Sequence, residues 1–223
     1  IDPTGEKFKG KDKKEVTFEI KDGQIAITSD NATEDIVRLV GLINSSGSST
    51  ALAQFSRLNA HKTMVNFAFA GKDPAGISGA LHQPHGTRPD GSSGPLEFDF
   101  QTQTFKGEAD FIPDGNGNEV YAEATITIYE GMYTTGPEGE SVEDQMVATF
   151  GHEAEHDLDL RQVQETKNMT YRDSVYHPRT PDGRDWAEGS PNWIARKIGK
   201  EIREFRRIQE LNNRQRSCLV VIC

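Results

Sequence analysis

The chain has 223 residues, a formal net charge of −10 and 34% hydrophobic residues, with a mean hydropathy of −0.66. Such a length suits one well-buried domain with a modest core and long loops, and the acidic balance excludes broad binding to nucleic acid or anionic membranes, both of which need basic surface. No apolar run reaches the roughly eighteen residues a membrane span needs, no signal-peptide pattern opens the chain, and the only cysteines, Cys218 and Cys223, build no disulfide framework.

In chain order, residues 1–15 read as a basic leader, Ile1-Asp2-Pro3-Thr4-Gly5 followed by Lys7, Lys9, Lys11, Lys13 and Lys14. Val16, Phe18, Ile20, Ile25 and Ile27 alternate around Asp22-Gly23, which predicts a β-hairpin. Residues 31–44 predict a helix capped by Asn31 or Thr33, with Ile36, Val37, Leu39, Val40 and Ile43 on its apolar face. Residues 45–50 predict a flexible loop, Leu52, Phe55 and Leu58 a short helix, and Met64, Val65, Phe67 and Phe69 a strand.

Residues 71–95, rich in Gly, Pro, Asp and Ser, read as a long surface excursion. His82 and His85 within it form an H-x-x-H pair that could bind a metal or line a cleft; a loop fixes no ligand geometry, so two surface histidines are expected. Leu96, Phe98 and Phe100, a looser alternation over 105–111, the turn Asp114-Gly115-Asn116-Gly117 and a strand over 120–129 predict a β-meander.

A helix follows, capped by Ser141, with Glu143 and Asp144 at the positive end of its dipole and Met146, Val147, Phe150, Ala154 and Leu158 as inner stripe, running to about Asn168. It carries His152-Glu153-Ala154-Glu155-His156. Residues four apart share a helix face, so two imidazoles aim at one point with Glu153 beside it. That is the pattern of a zinc hydrolase: two histidines and a third ligand hold Zn2+, and the glutamate takes a proton from the zinc-activated water. Residues 171–189 read as a loop, and Ser190-Pro191 starts a last amphipathic helix with Trp193, Ile194, Ile198, Ile202, Phe205, Ile208 and Leu211 on one face and arginines and lysines on the solvated face. The expected class is α+β: a leader 1–15, one domain over 16–216, β-rich over 16–135 and helical over 141–216, and a tail 217–223.

Strands followed by a helix with H-E-x-x-H and a further helix resemble the minimal plan of the zincin metallopeptidases. The resemblance implies His152 and His156 as zinc ligands, Glu153 as general base, and an edge strand, formed by 120–129 or its neighbour, that binds an extended peptide or protein substrate by strand addition. The metzincin continuation is absent, since Asp159 and Gln162 stand where Gly and His would be, and so is an aspzincin G-T-x-D element. Glu188, a downstream glutamate of the kind the gluzincin subclass supplies, is the expected third ligand, with His177 as the alternative. Tyr176 or Tyr171, with His177, are expected donors to the developing oxyanion. Asp159, about 10 Å along a continuous helix from His152, is too distant to ligate and is expected to hydrogen-bond a ligand imidazole. Glu155 and Asp157 imply a shallow, wet site.

The opening Asp2-Pro3-Thr4-Gly5 resembles the D-P-x-G junction of RHS/YD-repeat proteins, beyond which their C-terminal toxin domains begin. It implies a secreted effector delivered to a target cell, with an immunity protein as partner. Two other functions fit the same residues: a non-catalytic β-rich binding or surface module with structural histidines, and a zinc amidohydrolase acting on a non-protein substrate.

Overall fold

The computed structural model describes residues 8–74, 76, 78–99, 104–136, 140–170 and 189–220. The chain enters as β1 (Phe8–Lys9) and β2 (Glu15–Val16). The predicted leader therefore contributes to the sheet: Phe8 is fully buried, stacked on Phe55 at 5.0 Å. The predicted hairpin forms as β3 (Phe18–Lys21) and β4 (Gln24–Ile27), turning through Asp22 and Gly23, both at positive φ, as a tight hairpin turn requires.

Helix α1 (Glu34–Ser46) takes Thr33 as its cap, and α2 (Ser49–Asn59) takes Ser48. The expected loop over 45–50 shrinks to Gly47 and Ser48, because Gly47 adopts the left-handed conformation that ends α1 while Ser48 caps the next helix. Strand β5 (Met64–Ala70) follows as predicted.

The predicted surface excursion is the main correction. It contains β6 (Ala80–Thr87) and β7 (Ser93–Pro95). The buried face of β6 is made of Ala80, His82, Pro84 and Gly86, a set with no hydrophobic alternation. The hairpin β8 (Glu97–Asp99) with β9 (Thr104–Lys106), the short β10 (Glu108–Ala109) and the hairpin β11 (Phe111–Pro113) with β12 (Glu119–Tyr121) precede β13 (Glu123–Tyr129). The predicted strand over 120–129 is thus broken at Ala122, whose amide donates to the Asp110 carbonyl.

No simple meander results. β13 inserts between β5, to which it is parallel, and β6, to which it is antiparallel, and β1 extends the sheet beyond β5 with β2 outside it. Ala124, Ile126 and Ile128 of β13 face the core with Val65 and Phe67 of β5, while Thr125, Asn66 and His85 lie on the other face.

A 3₁₀ turn (Glu130–Met132) leads to α3 (Val142–Leu158), capped by the Ser141 hydroxyl on the Asp144 amide at 3.0 Å. The helix expected to reach Asn168 stops at Asp159, whose extended ψ of 97° turns the chain into α4 (Leu160–Thr170). Last comes α5 (Gly189–Val220), which runs through the start of the predicted tail. Ile194, Ile198 and Ile202 are buried against α3, whereas Trp193 is exposed beside them and Ile208 and Leu211 are exposed beyond the part of the helix that α3 covers. Gly151 permits that contact: a Cβ there would lie 2.1 Å from the Ile198 Cδ1. The architecture is α+β, with α1, α2, α3 and α5 packed on one face of a mixed sheet around one core. No helix among the described residues is long and apolar enough to cross a membrane.

Candidate metal centre

One turn of α3 places His152 and His156 on a single face, and their Nε2 atoms lie 3.3 Å apart. Two ligands at 2.0–2.1 Å from a tetrahedral ion are separated by roughly 3.3–3.4 Å. The rings meet edge-on with centroids 5.0 Å apart. Glu153 is buried, its Oε1 3.9 Å from the His152 Nε2. The Gln162 Oε1 lies 2.7 Å from the His156 Nδ1; an amide oxygen only accepts, so Nδ1 carries the proton and Nε2 presents its lone pair. The residues present therefore fit two zinc ligands. Among the described residues no set of three His, Cys, Asp or Glu side chains comes together as a metal cage, and Glu188, His177, Tyr176 and Tyr171 lie outside the described residues.

The expected shallow, wet site is not observed. Glu155 is 6% exposed and Asp157 is 0% exposed. Glu155 accepts from the Gln54 Nε2 at 2.6 Å, the Ser190 Oγ at 2.8 Å and the Arg57 guanidinium at 3.2 Å, tying α2 and α5 to α3. A buried carboxylate needs such partners to offset its lost hydration. Asp157 points the other way and accepts from the His82 Nε2 at 3.0 Å, with its second oxygen unpartnered among the described residues. Asp159 does not assist a ligand imidazole; it caps the helix break and binds the Arg161 amide and guanidinium. Gln162 takes the role expected of it, because the chain turns at Asp159 and brings the next helix back toward His156.

The surface-loop reading of the H-x-x-H pair also fails, since strand alternation sends residues three apart to opposite faces. His85 meets the Thr125 hydroxyl at 2.8 Å and Glu123 at 3.3 Å on the outer face. His82 enters the cleft and stacks on His156, with centroids 5.7 Å apart and planes at 28°. Burial alone would push the His82 imidazole down, but the adjacent Asp157, through charge and hydrogen bond, more than offsets this and raises its pKa above the ordinary value.

Tyr133, which no motif or spacing singles out, links strand and helix. Its hydroxyl lies 2.9 Å from the Gly79 carbonyl and 3.0 Å from the Thr149 hydroxyl, one turn before Glu153. Burial pushes its pKa up to about 12, the Glu153 charge adding to the effect, so it is a proton-bearing donor at neutral pH. Beside it a cavity of about 360 Å³ opens between α3 and α5, bounded by Ala148, Thr149, Ala195, Gly199 and Ile202. Its rim carries the Glu140–Arg203 and Asp144–Arg206 pairs, which engage two of the arginines expected to be solvated. The volume is at the lower end of ligand pockets, about 300–1,000 Å³.

The strand over 120–129 is not an edge. Its neighbour β6 is, among the described residues, over Ala80–Gln83, where β13 covers one side and β7 pairs only from His85 onward. No family model, no curated protein and no solved structure matches the chain.

Proposed function

We propose that the protein is a zinc-dependent peptidase that cleaves an extended protein or peptide substrate, with Glu153 as general base. The observation that carries this reading is the 3.3 Å separation of the His152 and His156 Nε2 atoms beside a buried glutamate. When bound, the zinc ion supplies Lewis acidity that polarises the scissile carbonyl and acidifies water. His152 and His156 hold it through Nε2, with His156 oriented by Gln162. Glu153 takes the proton of the attacking water and returns it to the leaving nitrogen. The substrate lies along the outer edge of β6.

Glu188 is the proposed third ligand. It stands two residues before Ser190, a span of at most about 7 Å of chain, and the Ser190 hydroxyl is held by Glu155, the neighbour of His156 in α3. His177 and Tyr176 are proposed donors to the developing oxyanion. With the D-P-T-G opening, the reading extends to a toxin domain delivered to a target cell and neutralised at home by an immunity protein.

Metal analysis and proteolysis of unfolded casein test the assignment. The purified chain is expected to hold about one zinc ion and His152→Ala to lose it. Glu153→Gln is expected to keep the zinc while casein cleavage drops at least ~10²-fold. Zinc content indifferent to His152→Ala, or undiminished cleavage by Glu153→Gln, refutes it.

A further inference from the structure

We propose that His82 is a positioning residue that registers an extended substrate on the edge of β6 against the metal-bearing turn of α3. The inference rests on the peptidase reading and adds a specific residue to it. In an antiparallel ladder, alternate residues turn both backbone groups toward the same neighbour. The Tyr129 amide donates to the Gly79 carbonyl at 2.8 Å, so Leu81 and Gln83 also face β13, and Ala80, His82 and Pro84 face outward. Pro84 has no amide proton, and its carbonyl accepts from the Leu96 amide at 2.9 Å. Ala80 is closed by the Ser78 hydroxyl, which donates to its carbonyl and accepts from its amide. Among the described residues, His82 is thus the position of this stretch whose outward N–H and C=O remain open to a further strand.

The side chain of the same residue grips the metal helix. It donates to Asp157, adjacent to His156 in sequence and completely buried, and its ring lies against His156. A strand hydrogen-bonded to the His82 backbone is therefore fixed relative to the two candidate ligands through one rigid side chain. A strand carried by a residue without that grip is free to shift by fractions of an ångström, which is where orientation effects are lost.

The test uses two hydroxamates on the zinc-loaded protein. Acetohydroxamate needs only the metal, whereas an extended Leu-Ala peptidyl hydroxamate needs the metal and the β6 edge. Because His82→Leu alone would strand a buried carboxylate, the main variant is the pair His82→Leu with Asp157→Leu, which removes both polar partners together. It is expected to bind acetohydroxamate as the parent does and the peptidyl hydroxamate about 10- to 100-fold more weakly, because the strand that carries both backbone hydrogen bonds is no longer held in register with the metal helix. His82→Gln, which can still donate to Asp157, is expected to recover most of the loss. Equal peptidyl hydroxamate affinity in parent and paired variant overturns the proposal, as does a parallel loss for acetohydroxamate, which would make His82 a support of the metal instead. A parent chain that takes up no zinc overturns the peptidase reading itself, an outcome distinct from either.

Discussion

Asp157 has no exposure and, among the described residues, one carboxylate oxygen without a partner, and it sits directly after a candidate metal ligand. A carboxylate buried this deeply needs partners to offset its lost hydration, and His82 supplies one through the 3.0 Å hydrogen bond to Oδ1. Gln162 acts through a neutral amide whose oxygen fixes one tautomer of His156, while its Nε2 is buried and has no partner among the described residues. Gln162→Leu is expected to weaken zinc binding about 10- to 100-fold, read by competition with a chelating dye; an unchanged dissociation constant would remove Gln162 from that role. The pair His152 and His156 was legible because four residues of helix fix their relation. Gln162 was not, since its position depends on the break at Asp159, and His82 was not, since its strand buries alanine, proline and glycine beside it.

Among the elements, α5 is joined to the start of α2 by one carboxylate. Glu201 accepts from the Thr50 hydroxyl at 2.6 Å, the Thr50 amide at 2.9 Å and the Ser48 hydroxyl at 2.8 Å, at the positive end of a helix. Burial alone would raise its pKa, but these bonds outweigh it and hold the carboxyl below its usual 4.5. A depressed folded-state value means that the contribution is present above pH 4.5 and is lost as the pH falls through the folded value. Glu201→Gln is therefore expected to cost about 1–3 kcal/mol at pH 7 and progressively less below pH 4.5, as followed by urea unfolding across that range. A cost independent of pH would show that the charge is not what joins the helices. Helices with a side-chain cap and an apolar stripe, α1, α3 and the buried part of α5, were legible from local chemistry. β6 was not, because its buried face carries no hydrophobic alternation and its central partner β13 comes some forty residues later in the chain.

For the molecule as a whole, the metal reading predicts a coupling between ligand and fold. A zinc ion that binds only the folded chain adds about 4 kcal/mol at a thousandfold excess over its dissociation constant, which for a domain of this size raises Tm by roughly 8–16 °C. Thermal melts with zinc and with EDTA are expected to differ by that order in the parent and to coincide in His152→Ala. Coincident melts in the parent would count against the metal centre.

The sheet order also dictates a sequence of events in time. β13 lies between β5 and β6, yet it is the last of the three to be synthesised. Until Glu123 to Tyr129 have left the ribosome, about two to eight seconds after β6 at ordinary elongation rates, both older strands present bare edges to one another and to neighbouring chains. The cleft that holds the histidines therefore has no floor while the nascent chain is short. The sheet is completed only when β13 arrives, with α3 following it and α5 later still, so a fragment ending before β13 is expected to be prone to aggregate.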